Sequence, residues 1–158
     1  MLGIDISGWQ KTISWKAIAD ADIEFGWIKA TEATDYVNSA YTKHRKAAKR
    51  LGIPAGAYHY ARPDKDDGPI AEADWFLEAY TPLANELLPV LDLEVHGLPP
   101  KSMARWAKRW LQRVEKRIGQ PPILYTYSSF WQSAVGNAAG FERYPLWLAN
   151  YGKNDGKV

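Results

Sequence analysis

The sequence contains no cysteine. That excludes a disulfide framework, a thiol nucleophile and any thiolate-held metal. Histidine is nearly as scarce: there are three, His44, His59 and His96, with neither an H-x-x-x-H nor an H-E-x-x-H spacing, so no metal site and no cofactor are expected. Glycine-rich phosphate signatures are missing too, both G-x-G-x-x-G and the P-loop. No apolar run is long enough to span a bilayer, so no membrane partner is expected. Neither sign of charge dominates: 20 Lys and Arg face 18 Asp and Glu, a net +2 that suits an anionic partner but not nucleic acid. Repeats, low-complexity tracts and linkers are absent, so the 158 residues read as one domain with a sizeable core. After Met1 the chain enters LGIDIS directly, which leaves no room for a signal peptide.

Aromatic residues are plentiful, with 8 Trp and 9 Tyr. They can all be core, but flat rings also match the C–H faces of sugars in carbohydrate clefts. The most informative stretch is Leu87 to Gly97, LLPVLDLEVHG. It has the apolar character of a buried parallel strand, yet carries Asp92 and Glu94. Side chains two apart on a strand share a face, so the two carboxylates point one way and Leu91, Leu93 and Val95 the other. Ionised carboxylates in an apolar element are costly unless paired or shifted in pKa. The alternatives are a buried structural ion pair, with Lys29 or an arginine, and acid/base chemistry; the apolar flanks favour chemistry.

Taken in order, Leu2–Ser7 reads as a strand, followed by Trp9 and Gln10. Ser14 is placed to cap a helix over Trp15–Ala21. A second strand spans Phe25–Thr31 and leads into Glu32 in a polar loop. A helix runs from about Asn38 to Leu51, with Gly52 just past its end. Pro54–Ala61 is a third strand, followed by the turn-rich RPDKDDGP, which resembles a calcium loop only in composition. A helix from Ile70 to Tyr80 precedes the Leu87–Gly97 strand. Ser102 is placed to cap a long helix carrying Trp106, Trp110, Val114 and Ile118, closed by Gly119. Pro122–Tyr127 is a fifth strand, Ser129–Val135 a short helix and Pro145–Tyr151 a sixth strand.

Strands alternating with helices imply βαβ units and a parallel sheet, here a short (β/α) barrel, closed or nearly closed. Function in such barrels gathers at the C-terminal strand ends. Asp5 and Ser7 fall there, as do Lys29, Thr31 and Glu32. Tyr58, His59 and Tyr60 end the third strand, Asp92 and Glu94 the fourth. Tyr125 and Tyr127 end the fifth, and Trp147 and Tyr151 the sixth. One cavity then holds three carboxylates ringed by aromatics, a layout suited to a glycosidase. Asp5 alone equally suits a loop cap. Lys29 and Glu32 suit supporting roles, holding the carboxylates in orientation. His59 alternates to the face opposite Tyr58 and Tyr60 and reads as a satisfied structural histidine.

At these positions GIDISGWQ, IKATE, AGAYHYA, VLDLE, ILYTY and PLWLANY, in that order, resemble the glycoside hydrolase family 25 muramidases, the Chalaropsis-type lysozymes. The resemblance covers essentially the whole chain. It implies an irregular, flattened (β/α) TIM-like barrel acting on the β-1,4 bond between N-acetylmuramic acid and N-acetylglucosamine in bacterial peptidoglycan. It further implies Glu94 as general acid, Asp92 as assistant to the cationic centre, and Asp5 as a further carboxylate; an acetamido-assisted path with Asp92 orienting that group and a direct carboxylate nucleophile both fit these residues. Tyr58, Tyr125, Trp147, Tyr151, Lys29 and Glu32 are the expected substrate-binding residues. A monomer without cofactor is expected, acting extracellularly or released at the cell wall, as a phage lysin or a domain excised from a precursor. The family pattern continues past PLWLANY with a closing segment carrying another Asp, so the expectation is a C-terminally truncated barrel.

Two rival readings follow from the same residues. A chitin-active glycosidase would carry D-x-x-D-x-D-x-E, of which VLDLE offers only the last two acids. A non-catalytic peptidoglycan-binding module would use the aromatic ring alone. The basic runs KHRKAAKR and KRWLQRVEKR fall on helices lining the outside, as solvated faces first and as an attraction to anionic wall polymers second.

Overall fold

A computed structural model describes residues 1–10, 12–83 and 86–150. Its strands are β1 (Gly3–Ile6), β2 (Phe25–Glu32), β3 (Tyr36–Val37), β4 (Ala55–Tyr60), β5 (Val90–Asp92), β6 (Ile123–Tyr127) and β7 (Leu146–Ala149). Its helices are α1 (Trp15–Asp20), α2 (Tyr41–Arg50), α3 (Gly68–Ala79), α4 (Pro100–Ile118) and α5 (Ser128–Phe130), the last running into a π-helical turn over Trp131–Val135. The strands form one sheet in the order β1-β2-β4-β5-β6-β7, all neighbours parallel, with β3 folded back antiparallel on β2. Among the described residues β1 and β7 are the two ends of this path, so the sheet is a curled half-barrel rather than a closed ring.

The strand alternation sorts the side chains. On the outer face of the sheet Ile28, Leu91 and Leu93 pack beneath Phe76 of α3 and Trp110 and Leu111 of α4, all fully buried. Burying such side chains is worth about 1.5–3 kcal/mol each. The other face of β4 and β5 is left to Tyr58, Tyr60 and Asp92, which line an open pocket.

Several boundaries differ from the sequence reading for identifiable reasons. The Asp92 strand spans three residues, not the whole of 87–97. Pro89 lacks the N–H that a ladder needs, and beyond Asp92 one further bond, from Leu93 N–H to Tyr125 O, ends the pairing. Ser102 does not cap α4; the helix starts at Pro100, whose fixed φ suits the first turn, and the Ser102 and Met103 N–H groups donate to Pro99 O. Asn38 is not the start of α2, which begins at Tyr41. Its side chain instead donates to Lys29 O at 2.8 Å, and its backbone N–H donates to Ala30 O at 2.8 Å. Ser14 does cap α1, accepting from Ala17 N–H, and Gly119 closes α4 with φ of 77°.

β2 carries the fold's most consequential irregularity. Opposite β4, Lys29 pairs with Tyr58 but Thr31 pairs with His59, so Ala30 is an extra residue in a β-bulge. From there on every side chain of β2 changes face. Asn38 takes the two carbonyls at this point, which keeps the bulge hydrogen-bonded.

Candidate active site

A pocket of about 740 Å³ opens at the C-terminal ends of the strands. Asp5 enters from β1, Lys29 and Glu32 from β2, Tyr58 and Tyr60 from β4, Asp92 and Glu94 from β5 and the residues after it. Tyr125 and Trp147 form the far wall. Eight of the nine expected site residues thus come together; Tyr151, the ninth, lies outside the described residues.

The carboxyl pair is placed by an extended segment with period two, as the spacing requires. Asp92 sits deep, and burial pushes its carboxyl well above the usual range, with the Glu94 charge adding to the rise and Lys29 opposing it. Its Oδ1 is buried without a hydrogen-bond partner among the described residues. Glu94, half-buried, is also raised, chiefly by burial, while the Tyr60 hydroxyl favours its ionised form; the Asp5 charge raises it and Lys29 lowers it. Tyr58 and Tyr60 are pushed up by burial and by the neighbouring carboxylates, Tyr60 to about 12, so both stay protonated donors at neutral pH. This polar wall can hold one proton on a carboxyl group at a pH where an isolated carboxyl has lost it.

Lys29 and Glu32 do not pair directly with Asp92 or Glu94. Lys29 Nζ donates to Glu32 Oε2 at 2.7 Å and lies 4.4 Å from the Tyr60 ring centre. Arg62 donates to Glu32 Oε1 at 3.0 Å and holds Asp64 with a two-pronged contact. Burial would raise the Glu32 carboxyl, but its bonds from Lys29 and Arg62 outweigh that and keep it below the usual range. Lys29 therefore reaches Asp92 and Glu94 as a nearby charge, tethered by Glu32. Its buried stem and the charge it supplies are why it favours the ionised forms of both.

Trp147 is a supported wall: its ring lies 4.8 Å from Trp27 and 5.0 Å from Tyr125, the latter edge-on. Trp27 in turn donates from its indole to Leu88 O at 3.0 Å, which ties the wall to the segment before β5.

Of the strand-end residues, Thr31 turns away from the pocket, to the face on which His59 was expected. Thr31 and His59 belong to the other face: His59 is fully buried, with Nδ1 2.8 Å from Thr31 Oγ1 and Nε2 2.8 Å from Glu72 Oε2. Burial pushes its imidazole below the usual value against the pull of Glu72, so it is a neutral ring, donating from Nε2 to Glu72 and accepting from Thr31, rather than half of an ion pair. Ser7 bonds to Gln10 and to the side chain of Tyr58, and so stands behind the pocket wall. Conversely, Trp9, Arg62 and Asn150 line the pocket without having been singled out. Trp9 and Arg62 lie three and two residues past the ends of β1 and β4, in the region that carries function in such folds, and Arg62 opens the turn-rich RPDKDDGP.

Known proteins give a consistent comparison. The sequence pattern of the Glycosyl hydrolases family 25 matches residues 4–158. Lysozyme M1 of Streptomyces globisporus is 34% identical over 161 residues, 95% of this chain and 54% of that protein. The N,O-diacetylmuramidase of Chalaropsis sp. is 34% identical over 162 residues, 94% of this chain and 76% of its own length. Among solved structures, a family GH25 lysozyme from Aspergillus fumigatus superposes with a TM-score of 0.87 at 30% identity, covering 96% of this chain and 78% of that one. The chain spans little more than half the length of several of the curated relatives it matches. No helix among the described residues is long and apolar enough to cross a membrane.

Proposed function

Because the chain belongs to glycosyl hydrolase family 25, we propose that it is a peptidoglycan muramidase, cutting the β-1,4 bond between N-acetylmuramic acid and N-acetylglucosamine at the bacterial cell wall. The observation that carries this reading is the adjacent pair Asp92 and Glu94, both raised in pKa, at the floor of an aromatic-walled pocket.

The chemistry follows from that pair. Two carboxyl groups that repel each other share a proton over a range of pH in which separate ones would both be ionised. Glu94, the less deeply set, faces the pocket and serves as general acid, giving its proton to the glycosidic oxygen as the C–O bond breaks and the electron pair stays with oxygen. Asp5 then faces the positive sugar centre with negative charge, and Asp92, the more deeply buried carboxyl, orients the acetamido group of the substrate. A water molecule adds to the sugar and returns a proton to Glu94. Tyr58 and Tyr60 offer hydroxyl donors, Tyr125 and Trp147 apolar ring faces, and the Lys29–Glu32–Arg62 chain holds the charge balance of the pocket. The substrate partner is the glycan of the bacterial wall, met outside the cell or on release at the wall.

The test is product analysis. Digested walls, reduced with borohydride and hydrolysed, are expected to contain newly reduced muramic acid. Newly reduced glucosamine would make the chain a glucosaminidase. No new reducing ends, with the protein pelleting on the walls, would make it a binding module.

A further inference from the structure

Among the described residues, the most exposed large apolar side chain beyond the N-terminal methionine is Trp9, with 87% of its surface free. An exposed apolar residue is ordinary in itself. This one differs in two respects. It lies on the rim of the pocket that holds Asp5, Asp92 and Glu94. It is also held there by a built turn and not carried on a loose loop. Ser7 Oγ accepts from Trp9 N–H at 3.2 Å, while Gln10 Oε1 accepts from Ser7 N–H at 2.8 Å and from Ser7 Oγ at 3.0 Å. Between them, Gly8 seats the turn against the β2–β3 hairpin: a Cβ at Gly8 would lie 2.7 Å from the Tyr36 hydroxyl oxygen.

The contrast with Trp147 is informative. Trp147 has its ring packed on Trp27 and edge-on to Tyr125, so it is wall. The Trp9 indole is presented to solvent at the open end of the same pocket on a fixed backbone. A rigid, exposed aromatic face beside a polar cleft matches the apolar C–H face of a pyranose, and fixing it beforehand lowers the ordering cost of binding.

We propose that Trp9 is a stacking platform for a sugar ring of the glycan strand, at a unit beyond those flanking the bond that is cut. This rests on the muramidase reading and names a binding residue for it. It follows that Trp9 acts on strand binding and not on bond cleavage, and that its contribution grows with glycan length.

The experiment compares wild type, Trp9→Ala and Trp9→Phe on soluble peptidoglycan glycan fragments of two lengths, tetrasaccharide and longer, with a parallel fluorescence titration in a Glu94→Gln background. Trp9→Ala is expected to raise KM about tenfold for the longer fragment, equivalent to ~1.4 kcal/mol, with kcat nearly unchanged. Trp9→Phe should restore most of that loss, and the tetrasaccharide should respond less. The change in tryptophan emission on adding the longer fragment should vanish in the Trp9→Ala, Glu94→Gln protein. An unchanged KM in Trp9→Ala overturns the proposal. So does a fall in kcat for both lengths without rescue by phenylalanine, which marks a structural role. If wild type cleaves no fragment, the muramidase reading fails. The titration still decides for Trp9, since an emission change that persists without its indole, or none at all, rules the platform out.

Discussion

The two faces of β4 carry two polar clusters built to opposite ends. On the outer face His59, Glu72 and Thr31 are completely buried and bonded to one another, and Glu72 Oε2 also accepts from Arg62 N–H at 3.0 Å. On the pocket face, one residue away in sequence, Tyr58 and Tyr60 look onto Asp92 and Glu94, whose carboxyls repel each other and where one buried oxygen lacks a partner. The outer cluster offsets much of the cost of burying polar groups by hydrogen bonding through Glu72 Oε2, although Glu72 Oε1 has no partner among the described residues, and gains a fixed register between β4 and α3. The pocket cluster leaves that cost standing. Burial and like charge shift both carboxyls upward, which is the condition an acid needs to keep its proton near neutral pH. A polar group's burial therefore does not reveal its role. Whether like charges crowd it does.

The contrast is sharpest if the two clusters are broken separately. Glu94→Gln keeps the shape of the side chain and removes its titration, and wall clearing is expected to fall by about 10³-fold, with thermal stability and wall binding close to wild type. Clearing at the wild-type rate would end the assignment of Glu94 as acid. Glu72→Ala does the reverse: it strips His59 Nε2 and the Arg62 N–H of their acceptor inside the core. It is expected to lower unfolding stability by about 3 kcal/mol, read from the urea midpoint. A loss below about 0.5 kcal/mol would mean the outer cluster is no more than packing.

Asp92→Asn should then separate stability from function in the opposite sense. The folded pKa of Asp92 lies above its unfolded value, so wild type is not penalised below about pH 4 and loses stability as pH rises toward the raised pKa. The asparagine variant, less active on walls, is expected to be more stable by about 1 kcal/mol at neutral pH, with that advantage gone in acid. A variant less stable than wild type at pH 7 would show that the buried charge is compensated after all. The smallest effect concerns the alkaline limb of the activity profile, where Glu94 loses its proton. Lys29 lowers the Glu94 pKa and Asp5 raises it. Lys29→Met should move the limb to higher pH and Asp5→Asn to lower pH. Movement of both in one direction would show that the limb belongs to another group.

Much of this was legible in the residues. Strand-and-helix alternation, the Ser14 cap and the Gly119 stop are local signals, and they fell where short-range sterics and hydrogen bonding put them. The facing of Asp92 with Glu94, and of His59 away from Tyr58 and Tyr60, follows from the period of an extended chain and needed no partner to settle it. The role of His59 as a satisfied core residue was also legible. Its acceptor Glu72 was not, because that contact joins a strand to a helix thirteen positions on, across a packing interface that no local pattern encodes. The three-residue length of β5 escaped because the apolar run around it is as compatible with an extended coil over the core as with a ladder.

β2 shows where the division lies. By itself the sequence determined that Phe25–Thr31 is a strand and that Lys29 sits at its functional end, because an alternating apolar run has one stable way to bury its side chains. An unbroken period of two would then put Lys29 and Glu32, three residues apart, on opposite faces, and Thr31 beside Lys29. The tertiary structure decided otherwise. Pairing with β4 leaves Ala30 over as a bulge, Asn38 takes the freed carbonyls, Thr31 turns outward to His59, and Glu32 turns inward to meet Lys29 and Arg62. A bulge is set by the register between two strands and by the donor that satisfies it. Both are long-range matters, and with them went the charge balance around the proposed acid.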